Sequence, residues 1–197
     1  SAASDVYKRQ QQCIDCPAGK FKGDVGQNEE SDCQDCVAGT YKSETRQTAA
    51  SQCIECVAGT YSGETGQYSA SDCTACEEGK YKEASGQTSV QQCIDCVAGK
   101  YSTEAGQDEE SDCDDCEAGT YSTEAGRSSD DSCTDCPTGK YKSETGQDDA
   151  EDCTDCAAGT YNNETGQTSA LQCIDCVAGK YKGDAGQYQE SDCEDCV

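Results

Sequence analysis

The chain has 197 residues, of which 33% are apolar, and 20 of those apolar residues are cysteine. There is no Trp or Met, one Phe (Phe21), one Leu (Leu171), and Ile only at positions 14, 54, 94 and 174, which excludes a hydrophobic core of the usual kind. With 40 Asp and Glu against 14 Lys and Arg, the net charge of −26 argues against nucleic acid and anionic lipid as partners, and no run of eighteen apolar residues is present to span a membrane.

In chain order, residues 1–10 stand outside any pattern and are expected to be a non-repeat leader from sequencing or assembly. From residue 11 to residue 197 the chain reads as nine tandem repeats of twenty residues, expected to be a piece of a longer array. Pairs of cysteines three apart recur from Cys13/Cys16 to Cys193/Cys196 without insertion. Counting from the second cysteine of a pair as position zero, position three is always Gly (Gly19 to Gly179) and position five is aromatic, Phe21 and then Tyr41 to Tyr181. Position ten is Gly except at Arg46, and position eleven is Gln except at Arg127. The first Gly suits a turn with positive φ, and the second marks another turn. The aromatic is the one large apolar face of the repeat and is expected to lie against a disulfide. Short polar strands are expected between the turns, as at residues 20–22, and long helices are not, because no apolar period of 3.6 exists.

A weaker forty-residue period overlies this one. The residue before each pair is Gln at 12, 52, 92 and 172, but Asp at 32, 72, 112, 152 and 192, with Ser132 as the one exception. Ile14, Ile54, Ile94 and Ile174 follow the same alternation, which makes them candidates for lateral contact along one face; duplication of a two-repeat unit is the alternative explanation.

Three chemistries compete for the cysteines. C-x2-C-x16-C-x2-C lies within zinc-ribbon spacing, yet every interval is identical and four-thiolate sites would add charge to an acidic chain. A redox centre needs a cation or helix terminus beside the thiol, whereas nine of the ten pairs enclose an acidic residue. Structural disulfides fit better. The expected pairing joins the second cysteine of one pair to the first of the next: Cys16–Cys33, Cys36–Cys53, Cys56–Cys73, Cys76–Cys93, Cys96–Cys113, Cys116–Cys133, Cys136–Cys153, Cys156–Cys173 and Cys176–Cys193. Cys13 and Cys196 are then left for residues outside the chain. Pairing within each C-x-x-C would make small strained rings. An interlocked scheme such as Cys13–Cys36 stays open.

The stretch CVAGTYSGETGQYSASDCTAC (Cys56 to Cys76) resembles the small cysteine-rich repeats of ephrin-receptor-like regions and the first module of tumour-necrosis-factor-receptor cysteine-rich domains. The resemblance implies a disulfide-rich fold: a linear, solenoid-like extracellular array of turn and short-strand units with minimal β-structure, no hydrophobic core and the serial pairing above. It implies no single function, since such repeats serve receptors, adhesins and stalks alike. Receptor modules vary their loops for ligands; here every loop has one length, which suits a spacer or fibre.

An enzyme is not expected: there is no His, no phosphate-binding loop, and the acids are spread evenly. The expected function is a structural extracellular rod, filament or appendage backbone, secreted or at the cell surface, that self-associates into a fibre; the alternative is the stalk of a receptor or adhesin whose binding domain lies elsewhere. No cofactor is expected beyond weak, diffuse Ca²⁺ on carboxylates such as Asp112, Asp114 and Asp115. Asn163-Glu164-Thr165 is the one N-glycosylation sequon, and Thr60, Ser62 and Thr65 are candidates for O-linked sugars, with ordinary turn formation as the alternative.

Overall fold

The structure, a computed structural model, describes residues 15–23 and 29–195. Within it each repeat is the same small device. Positions one to four make a turn closed by a backbone bond, as from Thr60 N to Val57 O at 3.1 Å, with Gly59 at φ +75°. Positive φ there is why glycine recurs at position three. Positions four and five then form a two-residue strand, Thr60–Tyr61, which pairs antiparallel with positions eighteen and nineteen, Thr74–Ala75. Between the strands lie the second glycine turn and a single 3₁₀ turn, Ala70–Asp72. Among the described residues nine such hairpins form nine separate two-stranded sheets, and the helical segments are 3₁₀ turns of three residues.

The 3₁₀ turn gives the alternating Gln or Asp at position sixteen a task. The side chain at position sixteen folds back to accept backbone N–H groups that precede the turn. Gln52 Oε1 takes Thr48 N at 2.7 Å and Ala49 N at 3.0 Å, and Asp72 Oδ2 takes Tyr68 N at 3.0 Å and Ser69 N at 2.8 Å. Gln occurs where position twelve is Thr, whose hydroxyl also donates to it, as in Thr48, Thr88 and Thr168. The exception, Ser132, donates instead to the Ser129 carbonyl.

The chain divides into two compact units. The first holds the described residues up to Cys76, with Lys82–Cys93 and Gly106–Asp108. Its repeats are joined by backbone bonds: Cys36 N donates to Gly19 O at 2.8 Å, Gly19 N to Lys42 O at 2.8 Å, and Gly66 N to Cys36 O at 2.8 Å. Tyr41 also forms a parallel bridge to Gln67 in the next repeat. Contact runs one repeat further. A methyl carbon built on Gly59 would lie 2.1 Å from the carbonyl oxygen of Gly106, 47 residues on, so glycine at position three is required by packing as well as by φ. Repeats of this unit therefore pack on the repeat after next as well as on their neighbours.

The second unit holds Glu77–Tyr81, Ile94–Ala105 and the described residues from Glu109. It repeats the scheme, with Cys116 N to Gly99 O at 2.8 Å, Ser122 N to Gln147 O at 3.0 Å, and Gly99 held against the carbonyl of Gly146. Its apolar cluster joins Tyr81 to Cys96 and Cys113, so the aromatic of one repeat packs on the disulfide of the next. Gly159 and Gly179 have open space instead of a facing carbonyl, and Tyr181 is 50% exposed where Tyr81 is 8%.

Candidate functional site

Cysteine sulfur forms the core. Nine disulfides close the repeats, Cys16–Cys33, Cys36–Cys53, Cys56–Cys73, Cys76–Cys93, Cys96–Cys113, Cys116–Cys133, Cys136–Cys153, Cys156–Cys173 and Cys176–Cys193. The pairing is serial. Each bond closes a loop whose entropy alone is worth about 3 kcal/mol in the unfolded chain. Cys13, Cys196 and Ile14 lie outside the described residues.

The two cysteines of a bond differ in exposure. The position-zero cysteines from Cys36 to Cys156 are wholly buried, while the closing cysteines Cys53, Cys73, Cys93, Cys133 and Cys173 are partly exposed. The cause is local: position zero lies inside the turn, under the backbone bonds to the preceding repeat, and position seventeen ends the surface 3₁₀ turn.

The acidic residue inside the C-x-x-C pairs, absent only at Ala75, has a structural task that the sequence reading missed. It lies at position nineteen, faces position four across the hairpin, and reaches the second glycine turn two repeats on. Lys20–Asp35 (2.7 Å), Lys100–Asp115 (2.5 Å), Lys140–Asp155 (2.8 Å), Lys180–Asp195 (3.7 Å) and Lys80–Asp95 are the ion pairs between these two positions among the described residues. From two repeats away, Thr165 Oγ1 donates to Asp135 at 2.8 Å, Ser85 Oγ to Glu55, and Arg46 Nε to Asp15 at 2.7 Å. Lys100 beside Asp115, helped by the Thr145 hydroxyl and opposed by partial burial, holds that carboxyl below its ordinary value of 3.8. Arg46 replaces the usual Gly at position ten with φ +67° and gains the ion pair to Asp15.

Position six is a second feature that went unread. Lys42, Ser62, Ser102, Ser122 and Asn162 are buried there. Ser62 is therefore closed to a sugar, which corrects its candidacy; the Thr60 hydroxyl donates to Val57 O at 2.7 Å, and Thr65 is exposed. Asn163 is exposed, next to buried Asn162, whose Oδ1 accepts Glu164 N at 3.0 Å.

Ile54, Ile94 and Ile174 are 44–49% exposed and lie opposite Tyr41, Tyr81 and Tyr161 in their hairpins. Asp112 accepts Glu109 N at 2.9 Å, Asp115 serves Lys100 and Thr145, and Asp114 pairs with Tyr101 across the strands. Among the described residues no group of three or more His, Cys, Asp or Glu is placed to hold a metal ion. An open hollow of about 420 Å³ is lined by Tyr101, Glu117, Thr120, Asp130, Asp131 and Asp135. Burial, and then the nearby Asp114, Asp130 and Glu117, push the Tyr101 phenol up from its ordinary value of 10.0.

These features define a class: tandem, cysteine-rich, disulfide-closed hairpins on a twenty-residue period. No family model matches the chain, and no curated protein sequence matches it. Among the described residues, no helix is long and apolar enough to cross a membrane.

Proposed function

We propose that the chain is a non-enzymatic structural array, the backbone of an extracellular rod, filament or surface appendage of the ephrin-receptor-like or tumour-necrosis-factor-receptor-like kind. One observation carries this reading: the same backbone and glycine contacts recur from repeat to repeat in both units, with loops of one length. Such uniformity builds a spacer and leaves little surface variation with which to read a ligand. Nine disulfides fit an oxidising compartment outside the cytosol. The exposed Ile54, Ile94 and Ile174 supply apolar points for self-association, and Asn163 is accessible for a glycan.

Small-angle scattering of arrays with three, six and nine repeats tests the rod. The expected result is a constant cross-section with a length that grows in proportion to repeat number; a radius that grows as for a compact globule would overturn it. Sedimentation of the Ile54→Ser, Ile94→Ser, Ile174→Ser variant separates fibre from lone stalk. Loss of assembly supports the fibre, and a monomeric parent supports the stalk.

A further inference from the structure

The disulfides fall into two groups by exposure of the closing cysteine, and one residue sorts them. Cys33, Cys113, Cys153 and Cys193 are 8%, 3%, 2% and 3% exposed, and the residue four places before each carries a carboxylate or a carboxamide: Glu29, Glu109, Asp149 and Gln189. Cys53, Cys73, Cys93, Cys133 and Cys173 are partly exposed, and the corresponding residues are Ala49, Ser69, Ser89, Ser129 and Ser169. That position is the residue just before the 3₁₀ turn that ends at the closing cysteine. Cys176–Cys193 is open at its other sulfur, since Cys176 is partly exposed and Cys193 is buried.

We propose that Cys53, Cys73, Cys93, Cys133 and Cys173 are sites of thiol–disulfide exchange, at which a small thiol enters as a mixed disulfide. The incoming thiolate attacks the closing Sγ, a new S–S bond forms there, and the bond to the position-zero sulfur breaks. The position-zero cysteine leaves as thiolate and takes up a proton from water. The incoming thiol is oxidised and the position-zero cysteine reduced, so the electrons balance within the exchange. Attack from the other side is blocked, because the position-zero sulfurs of these five bonds, Cys36, Cys56, Cys76, Cys116 and Cys156, are wholly buried. Access and thiolate concentration govern such exchange. A small residue at the N-terminal end of the turn goes with an open closing cysteine, a carboxylate or carboxamide there goes with a covered one, and the charge of Glu29, Glu109 and Asp149 also repels an anionic attacker. The net charge of −26 further favours a cationic thiol over an anionic one. The inference is independent of the filament reading, since it depends on the disulfides alone.

The probe is cysteamine, with glutathione as the anionic comparison, on the oxidised full chain at mildly alkaline pH. The reaction is quenched by alkylation at timed intervals and mapped by non-reducing peptide mass spectrometry. Mixed disulfides are expected first on the five exposed cysteines, with Cys33, Cys113 and Cys153 slower by about tenfold or more, and with cysteamine faster than glutathione. Ser129→Glu should slow reaction at Cys133 several-fold, and Glu109→Ser should speed it at Cys113. Equal rates at all eight bonds, adducts on position-zero cysteines, or rates that track local hydrogen exchange instead of exposure would overturn the proposal. The parent chain's map decides the matter even if either variant folds poorly.

Discussion

Thr145 Oγ1 donates to Asp115 Oδ2 at 3.2 Å across thirty residues, with a whole repeat between the two that hold them. Lys100 meets the same carboxylate at 2.5 Å from within the hairpin. One side chain therefore ties a strand, its partner strand and a turn two repeats on.

That carboxylate makes the array acid-sensitive in a defined direction. Because Lys100 lowers the pKa of folded Asp115 below 3.8, the contribution is present above 3.8 and is lost as pH falls through the lower, folded value. Thermal melts followed by circular dichroism should be flat from neutrality to about pH 5 and then fall. Asp115→Asn should flatten part of that fall; an unchanged acid limb would remove Asp115 as its source.

The glycines separate two costs. Gly59→Ala meets both a φ of +75° and the carbonyl of Gly106, and should cost about 3 kcal/mol or more, or scramble the disulfides. Gly179→Ala, at φ +89° but in open space, should cost only about 1 kcal/mol. Melting temperatures and disulfide maps of the two variants check the difference. Equal losses would mean that backbone conformation alone demands glycine.

Tyr81 is the best-covered aromatic and packs on Cys96 and Cys113. Tyr81→Ala should cost about 2–4 kcal/mol by lost burial, whereas Tyr181→Ala, already half exposed, should cost under about 1 kcal/mol. Denaturant titration of each variant under oxidising conditions reads this directly.

Capping gives a local test. Gln172→Ala removes acceptors for Thr168 N and Ser169 N, at 2.8 and 2.9 Å, and should cost about 1–2 kcal/mol. Amide exchange at residues 168 and 169 should accelerate while distant repeats stay protected.

Much of a single repeat was legible in the chain itself. Cysteine spacing, a glycine at position three and an aromatic at position five specify a closed turn, a short strand and a loop, because those constraints act within about twenty residues and depend on covalent geometry and φ. Absence of a hydrophobic core could also be read directly, since a composition with one Phe and one Leu cannot supply one. Even the alternation of Gln52 and Asp72 is visible in the sequence, whereas their shared task, a cap on a 3₁₀ turn, needs the backbone laid out.

What tertiary structure alone decided is which repeat touches which. Near-identical repeats carry no signal of their own order of contact, so nothing in Gly59 or Gly106 announces that the two meet. The same holds for Asp115 and Thr145, for the buried Ser102 at position six, and for the exposure that distinguishes Cys133 from Cys113. Those relationships are set by how one hairpin's backbone bonds to the next, a step repeated along each unit. Local chemistry specifies the hairpin; the geometry of that step determines which side chains it buries, clamps or leaves open to solvent.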